Sequence, residues 1–260
     1  MRYTTLSALI ILCMVSTSLQ AASVPQRDPQ ALATISQAIQ ALGGMAPVTS
    51  IKDSIVIGAS APAPGSSTKP TTFVWKDAGG EFREEVEEGA NTRVFVSGHG
   101  QPAAINNGTA HTIPPLVALA NQPFHLPSVV LATELSDSRY SIKSDGPGTV
   151  ENVPAIRVKI ALDTDGVTAM LTQQEWYFDV TSGLPLRVDF LEPDTKRPDP
   201  QSDKAAFEFG DFRYSGGILV PFSITAFESG QASAIITIAK INFNQGLNSK
   251  EFDAPTGGGQ

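Results

Sequence analysis

Three observations predict an α+β fold: one large curved antiparallel sheet or partial barrel, with helices from two places in the chain laid on one face. A single amphipathic helix opens the mature part, period-two alternation dominates the remainder of the chain, and a nearly uncharged, proline-broken helical insertion interrupts the strands at about 113–137. No inter-domain linker and no fixed-period repeat is present, so residues 23–260 read as one domain behind a leader of residues 1–22.

The leader consists of Met1-Arg2, the apolar run LSALIILCMV (6–15) and the small-residue stretch STSLQAAS, with cleavage expected near Ala21 or Ala22. Its apolar run falls short of the roughly 20 residues that a membrane span requires. Cys13, the single cysteine, lies inside that run with Leu12 before it, which argues against lipid attachment. The exported part therefore has neither disulfide nor thiol chemistry, and a periplasmic location is expected, with secretion as the alternative. Net charge is −8, and loss of Arg2 with the leader makes it more negative. Without a basic cluster, the chain is a poor candidate for nucleic acid or anionic membrane surfaces, no nucleic-acid partner is expected, and no second apolar segment is long enough to span a bilayer.

Asp28 is a good N-cap, Pro29 suits a first helical turn, and Leu32, Ile35, Ile39 and Leu42 recur at helical spacing before Gly43-Gly44, which predicts a helix over about 29–42. Strands are expected at 50–58, 71–77, 81–89 and 91–98, with a shorter one at 102–105 before the Asn106-Asn107-Gly108 turn. In EFREEVEEG, Phe82 and Val86 share one face while Arg83, Glu85 and Glu87 share the other. The insertion reads as two short helices, 115–121 and 127–135, apolar on nearly all sides and therefore buried or covering an apolar surface. Strands resume at 153–163, where Ile156, Val158, Ile160 and Leu162 alternate with Arg157, Lys159 and Asp163. Asp163-Thr164-Asp165-Gly166 predicts a hairpin turn into a strand near Val167. The hairpin QEWYFDVTSGLPLRVDF (174–190) turns at Thr181-Ser182-Gly183, with Trp176, Phe178, Leu186, Val188 and Phe190 facing inward. A long polar loop, 191–204, leads to strands at 207–217, 218–227 and 232–244; the phase change at Gly210 predicts a bulge there. The total is about ten or eleven strands in hairpin succession.

Catalytic signatures are missing. His99, His111 and His125 show no paired-ligand spacing, and neither a nucleophile elbow, a phosphate loop nor a dinucleotide fingerprint is present. His99 reads as a solvated turn residue, whereas His111 and His125 flank the insertion and could cap its helices. Glu81, Glu84, Glu85, Glu87 and Glu88 split between two strand faces, which suits a solvated surface better than a calcium site, and Asn107-Gly108-Thr109 suits a hairpin turn better than a glycan acceptor. No catalytic residue, metal or cofactor is expected, and an esterase is the weakest of the readings.

The helix ending in Gly-Gly, the mid-chain helical pair, YFDVTSGLPLR (Asp179, Gly183, Leu184, Pro185, Arg187), FGDFRYSGGILVPFSI (Phe209, Asp211, Phe212, Gly217, Pro221) and INFNQGLNSKEFDAP (Asn242, Phe252, Pro255) together resemble the LolA/LolB-like group. That group contains lipoprotein carriers and related periplasmic proteins. The resemblance implies an unclosed β-barrel whose concave face forms an apolar cavity lidded by helices. The cavity would be lined by Phe73, Trp75, Phe82, Ile156, Val158, Ile160, Trp176, Phe178, Leu186, Val188, Phe190, Phe222 and Ile224, and the lid would present Leu116, Leu119, Phe124, Val129 and Leu131. Arg83 is the candidate for an arginine that locks the lid. Implied partners are a lipid, an acyl chain or a lipoprotein, and an envelope protein as a further class. The alternative is a non-enzymatic sensor or interaction module on the same fold with a filled core.

Overall fold

The computed structural model describes residues 25–98, 102–120, 123–164, 166–193 and 202–254, so the leader, His99 and Pro255 lie outside the described residues. The first helix, α1 (Pro29–Ala41), starts as its sequence dictates: the Asp28 carboxylate accepts the Gln30 N–H at 2.8 Å and Pro29 occupies the first turn. Ala31, Ile35, Ala38 and Ile39 form its buried stripe. It stops where Gly43 adopts φ +127°, and a Cβ there would lie 2.7 Å from the Gly217 carbonyl oxygen, so only glycine lets the helix end meet that turn. A short helix, α2 (Met45–Ser50), comes next.

The strands are β1 (Asp53–Pro62), β2 (Thr71–Ala78), β3 (Glu81–Glu88), β4 (Asn91–Ser97), β5 (Ala103–Asn106) and β6 (Thr109–Thr112). Helices α3 (Pro115–Ala120) and α4 (Pro127–Ser136) come next, then β7 (Tyr140–Val150), β8 (Val153–Leu162), helix α5 (Gly166–Leu171), β9 (Gln174–Asp179), β10 (Pro185–Pro193), β11 (Ser202–Ser215), β12 (Ile218–Glu228) and β13 (Gln231–Phe243). All thirteen form one antiparallel sheet in the order β6-β5-β4-β3-β2-β1-β13-β12-β11-β10-β9-β8-β7. The chain thus runs outward by hairpins to one edge, crosses the sheet through α3 and α4, and returns by hairpins from the other edge. The seam where β13 pairs with β1 joins the two halves. The barrel is not closed, because β6 and β7 are both edges. Next to β7 the chain just before α1 adds a parallel bridge, Arg27 to Ile142, which covers part of that edge.

Alternation sorts the faces. Trp75, Val86, Val158, Trp176, Val188 and Ile224 enter one continuous core with Ile35 and Ile39 of α1 and Leu131 of α4. On the opposite face charges pair across strands, Arg157 with Glu175 at 2.9 Å and Asp145 at 3.0 Å and Arg187 with Glu208 at 2.7 Å, and Arg187 also pairs along its own strand with Asp189 at 2.6 Å.

Four expectations need correction. The sheet has thirteen strands among the described residues rather than ten or eleven, since β6 and β7 lack the alternation that marks a strand in sequence. Residues after Asp163 form α5 instead of a hairpin turn and a strand near Val167; the next strand starts at Gln174. At Gly210 no residue is inserted, because pairing passes from Gly210–Ser223 to Phe212–Pro221 without a shift, and the irregularity sits at Asp211, whose φ is +51°. His125 caps no helix: the α4 N-cap is Leu126, without a side-chain hydrogen bond.

Candidate ligand cleft beneath the helical lid

The crossing between the two sheet edges supplies the lid. Helix α4 packs on α1, α2 and β12, and Pro127, Ser128, Val130, Leu131, Ala132 and Glu134 are all buried. This explains why its sequence shows no single apolar stripe: the helix is covered on several sides. Its C-terminal end is held by Arg27, whose guanidinium donates to the carbonyl oxygens of Leu135 (2.5 Å), Asp137 (2.9 Å) and Tyr140 (3.2 Å). The cation thereby satisfies carbonyls that a helix end leaves open and complements the negative end of the helix dipole. Arg83 does not do this. It pairs with Glu85 at 2.7 Å and donates to the Glu251 carbonyl on the other face. Arg27 carries no signal in the sequence, because it precedes the first helix and contacts residues more than a hundred positions away.

Beneath the lid lies an aromatic floor. Phe124, at the start of the lid, sits 5.9 Å from Trp176 and 4.6 Å from Phe190, while Trp176 stacks with Phe178 at 6.1 Å and Phe209 at 6.0 Å. Of the residues expected to line a cavity, Phe73, Trp75, Val158, Ile160, Trp176, Phe178, Val188 and Ile224 are buried in the core, and Phe82, Phe190 and Phe222 pack half-buried against it. Ile156 and Leu186 are half-buried, Leu186 at a register shift that brings Pro185 opposite Phe178. In the lid, Phe124 and Leu131 are buried, Leu116 and Val129 are half-buried, and Leu119 is exposed. The floor and the lid are thus in direct contact.

Open space lies at one end of the lid. A cleft of about 770 Å³ runs between α3–α4 and the ends of β1 to β4, within the range of about 300–1,000 Å³ typical of ligand sites. One wall is helical and largely apolar, with Ala118 and Leu119 from α3 and Leu126, Val129, Val130 and Thr133 along one face of α4. The strand ends form the other wall, with Ser54, Phe82 and the carboxylates Asp53, Asp77 and Glu81. Phe82, Leu119 and Val129 are the three sequence-expected residues that the cleft includes.

Glu134 closes the inner end. It is 1% exposed, and burial pushes its carboxyl up to about 8, against the opposing effect of the Gln174 amide. Gln174 Nε2 donates to Glu134 Oε1 at 2.5 Å, and the Gln174 carbonyl oxygen accepts the Trp176 indole N–H at 2.7 Å, so a buried polar chain links the lid to the floor. The second carboxyl oxygen, Oε2, is buried without a hydrogen-bond partner. Behind the wall formed by Asp77, the ring of His125 lies 4.5 Å from that of Trp75. Its Nε2 is 3.3 Å from Asp77 Oδ2, an approach too poorly aligned to make a hydrogen bond. Asp77 also accepts from the Ser54 hydroxyl at 3.1 Å. Asp53 accepts three backbone N–H groups, from Gln245 (2.6 Å), Gly246 (2.9 Å) and Leu247 (3.3 Å), and so pins the last loop to the rim. No cluster of side chains suited to a metal occurs among the described residues.

No family model matches the sequence, and no curated protein matches it. Solved structures do. A Vibrio parahaemolyticus domain described as an outer membrane lipoprotein-sorting protein shares 12% identity, with a TM-score of 0.53 over 85% of this chain and 95% of its own. A DUF1329 family protein of Desulfovibrio piger shares 14%, with a TM-score of 0.55 over 87% of this chain and 98% of its own. The chain has the LolA-like open-barrel fold. In that LolA-like frame the crossing helices pack on the apolar face of the sheet, and the cleft is the part of the lid–sheet boundary left open. No helix among the described residues is long and apolar enough to cross a membrane.

Proposed function

We propose that the protein is a non-enzymatic periplasmic binding or carrier protein for an apolar ligand, such as an acyl chain, which enters through the cleft at the end of the lid. The observation that carries this reading is the cleft itself: a largely apolar helical wall at the end of a lid that packs, apart from the Glu134–Gln174 hydrogen bond, on aromatic and aliphatic side chains. A chain of about sixteen carbons contributes on the order of 10 kcal/mol of burial at about 0.8 per methylene, before association costs. Ligand entry would lift Phe124 from Trp176 and Phe190 and Glu134 of α4 from Gln174, turning the floor into the cavity lining. Pro123 and Pro127 bracket the segment where such hinging would occur. Lipoprotein sorting, the role ascribed to the Vibrio parahaemolyticus protein of the same fold, fits this direction.

A second reading is favoured by one specific observation: with the lid down, the concave face is filled by the protein's own side chains. That is the state expected of a sensor or interaction module that takes no small ligand. The two readings separate in one experiment. An environment-sensitive apolar dye is expected to bind at tens of micromolar and to be displaced by an alkyl amphiphile. Arg27→Ala, which frees the end of α4, is expected to accelerate amide exchange in α4 and dye uptake together. No dye binding by either protein would leave the interaction module as the better account.

A further inference from the structure

The cleft carries a charge pattern that goes beyond apolar binding and bears on the head group of its ligand. Four carboxyl-bearing residues line it: Asp53 and Asp77 at the ends of β1 and β2, Glu81 at the start of β3, and Glu134 on α4. Lys52 is the one cationic side chain among the described lining residues, and it is exposed at the mouth. Tyr140 of β7 also lines the cleft, Gln174 of β9 reaches Glu134, and His125 lies behind Asp77. Acids clustered at strand ends are by themselves no ligand site; Asp53 is buried, but three backbone N–H groups satisfy its carboxylate. Glu134 is different, because it is 1% exposed and its Oε2 has no partner. Buried polar atoms of native proteins are nearly always paired, and this oxygen on the cleft wall has no partner from the protein.

We propose that the cleft selects amphiphiles with a cationic head, the alkyl body lying along α3 and α4 and the ammonium reaching Glu134 Oε2 beside the rim carboxylates. The assignment rests on the apolar-binding reading above and names its substrate class. An anionic head would meet four carboxyls, with exposed Lys52 the one cationic side chain among the described lining residues, which builds rejection into the site. An ammonium instead provides the donor that Oε2 lacks. The Glu134 carboxyl is protonated near neutral pH because burial disfavours its charge. The ligand therefore replaces that proton: the carboxylic acid gives its proton to the buffer, and the resulting carboxylate accepts hydrogen bonds from the ammonium.

Calorimetric titration at pH 7 with dodecylammonium, dodecanol and dodecanoate, each below its micellar concentration, tests this in two buffers of different ionisation enthalpy. The expected result is dodecylammonium at least about tenfold tighter than dodecanoate, with dodecanol between them, and about one proton released per dodecylammonium bound. Glu134→Gln is expected to abolish the proton release and collapse the preference for the cation. Asp77→Asn, which alters the rim alone, is expected to weaken the preference and retain the release. Equal affinity for the three heads, or tighter dodecanoate, would overturn the head-group assignment and leave apolar binding intact. Failure of all three to bind would overturn both.

Discussion

Raising the pH from 5 to 9 is expected to destabilise the protein by on the order of 4 kcal/mol through Glu134 alone. Its carboxyl, ordinarily at 4.5, is raised to about 8 by burial under the lid. Between those two values the folded chain holds a proton that the unfolded chain has released. Stability is therefore full below about 4.5, falls as the pH climbs through the window, and levels off above about 8. Glu134→Gln keeps an oxygen to accept from Gln174 and removes the ionisation. The variant should match the parent at pH 5 and exceed it at pH 9 in urea-unfolding midpoint. Two curves with the same pH slope would show that the carboxyl is solvated and that α4 does not seal it. The same argument gives the lid a direction: alkaline conditions should loosen α4, seen as faster amide exchange there before the sheet responds.

Trp176→Ala is expected to cost about 4 kcal/mol, the upper part of the range for aromatic truncation. The indole is fully buried between Phe178 and Phe209, with Phe124 against its edge. Truncation opens a void at the lid–floor contact and leaves Gln174 Oε1 without its donor. Trp176→Phe keeps most of the packing and loses the hydrogen bond, so a cost of about 1–2 kcal/mol is expected. Chemical denaturation of both variants checks the pair. If Trp176→Ala costs no more than Trp176→Phe, the floor is not packed against the lid.

How far the fold is legible in the sequence depends on which elements carry a period. Helix α1 has a cap, a proline and a stripe of aliphatic residues, and β8 alternates from Ile156 to Leu162 in its sequence, so both stand out. Strand β7 is hidden because its middle, Ser144-Asp145-Gly146-Pro147-Gly148, carries a register shift and no alternation, and its pairing with β8 supplies what the side chains do not. Helix α5 is masked because Asp163 to Gly166 has turn chemistry, and six residues are too few to distinguish a helical period from a strand. The seam of β1 with β13, about 180 residues apart, arises from the meander closing on itself and has no local signature.

The site is less legible than the fold. The large alternating side chains of β9 and β10 point to an inner face, and they do lie under the helices. Pattern alone does not show that the lid meets this floor directly, leaving the open volume at the strand ends among Asp53, Asp77 and Glu81. Glu81 reads in the sequence as one of a row of glutamates on a solvated strand, whereas the fold buries it, and Asp53 and Asp77 carry no sequence signal. Glu134 reads as the first charge after an apolar run, whereas in the fold it is buried, because α4 is covered by α1 and α2 as well as by the sheet. Its partner Gln174 opens a strand, 40 residues along the chain.

Native mass spectrometry of the protein purified from the cells that make it, before and after delipidation and exposure to an alkyl amphiphile, tests the binding account most directly. The predicted spectrum shows one bound amphiphile per chain, lost on delipidation and restored by addition. A spectrum of the bare chain throughout, with the amphiphile present well above the concentration at which other carriers fill, would contradict it.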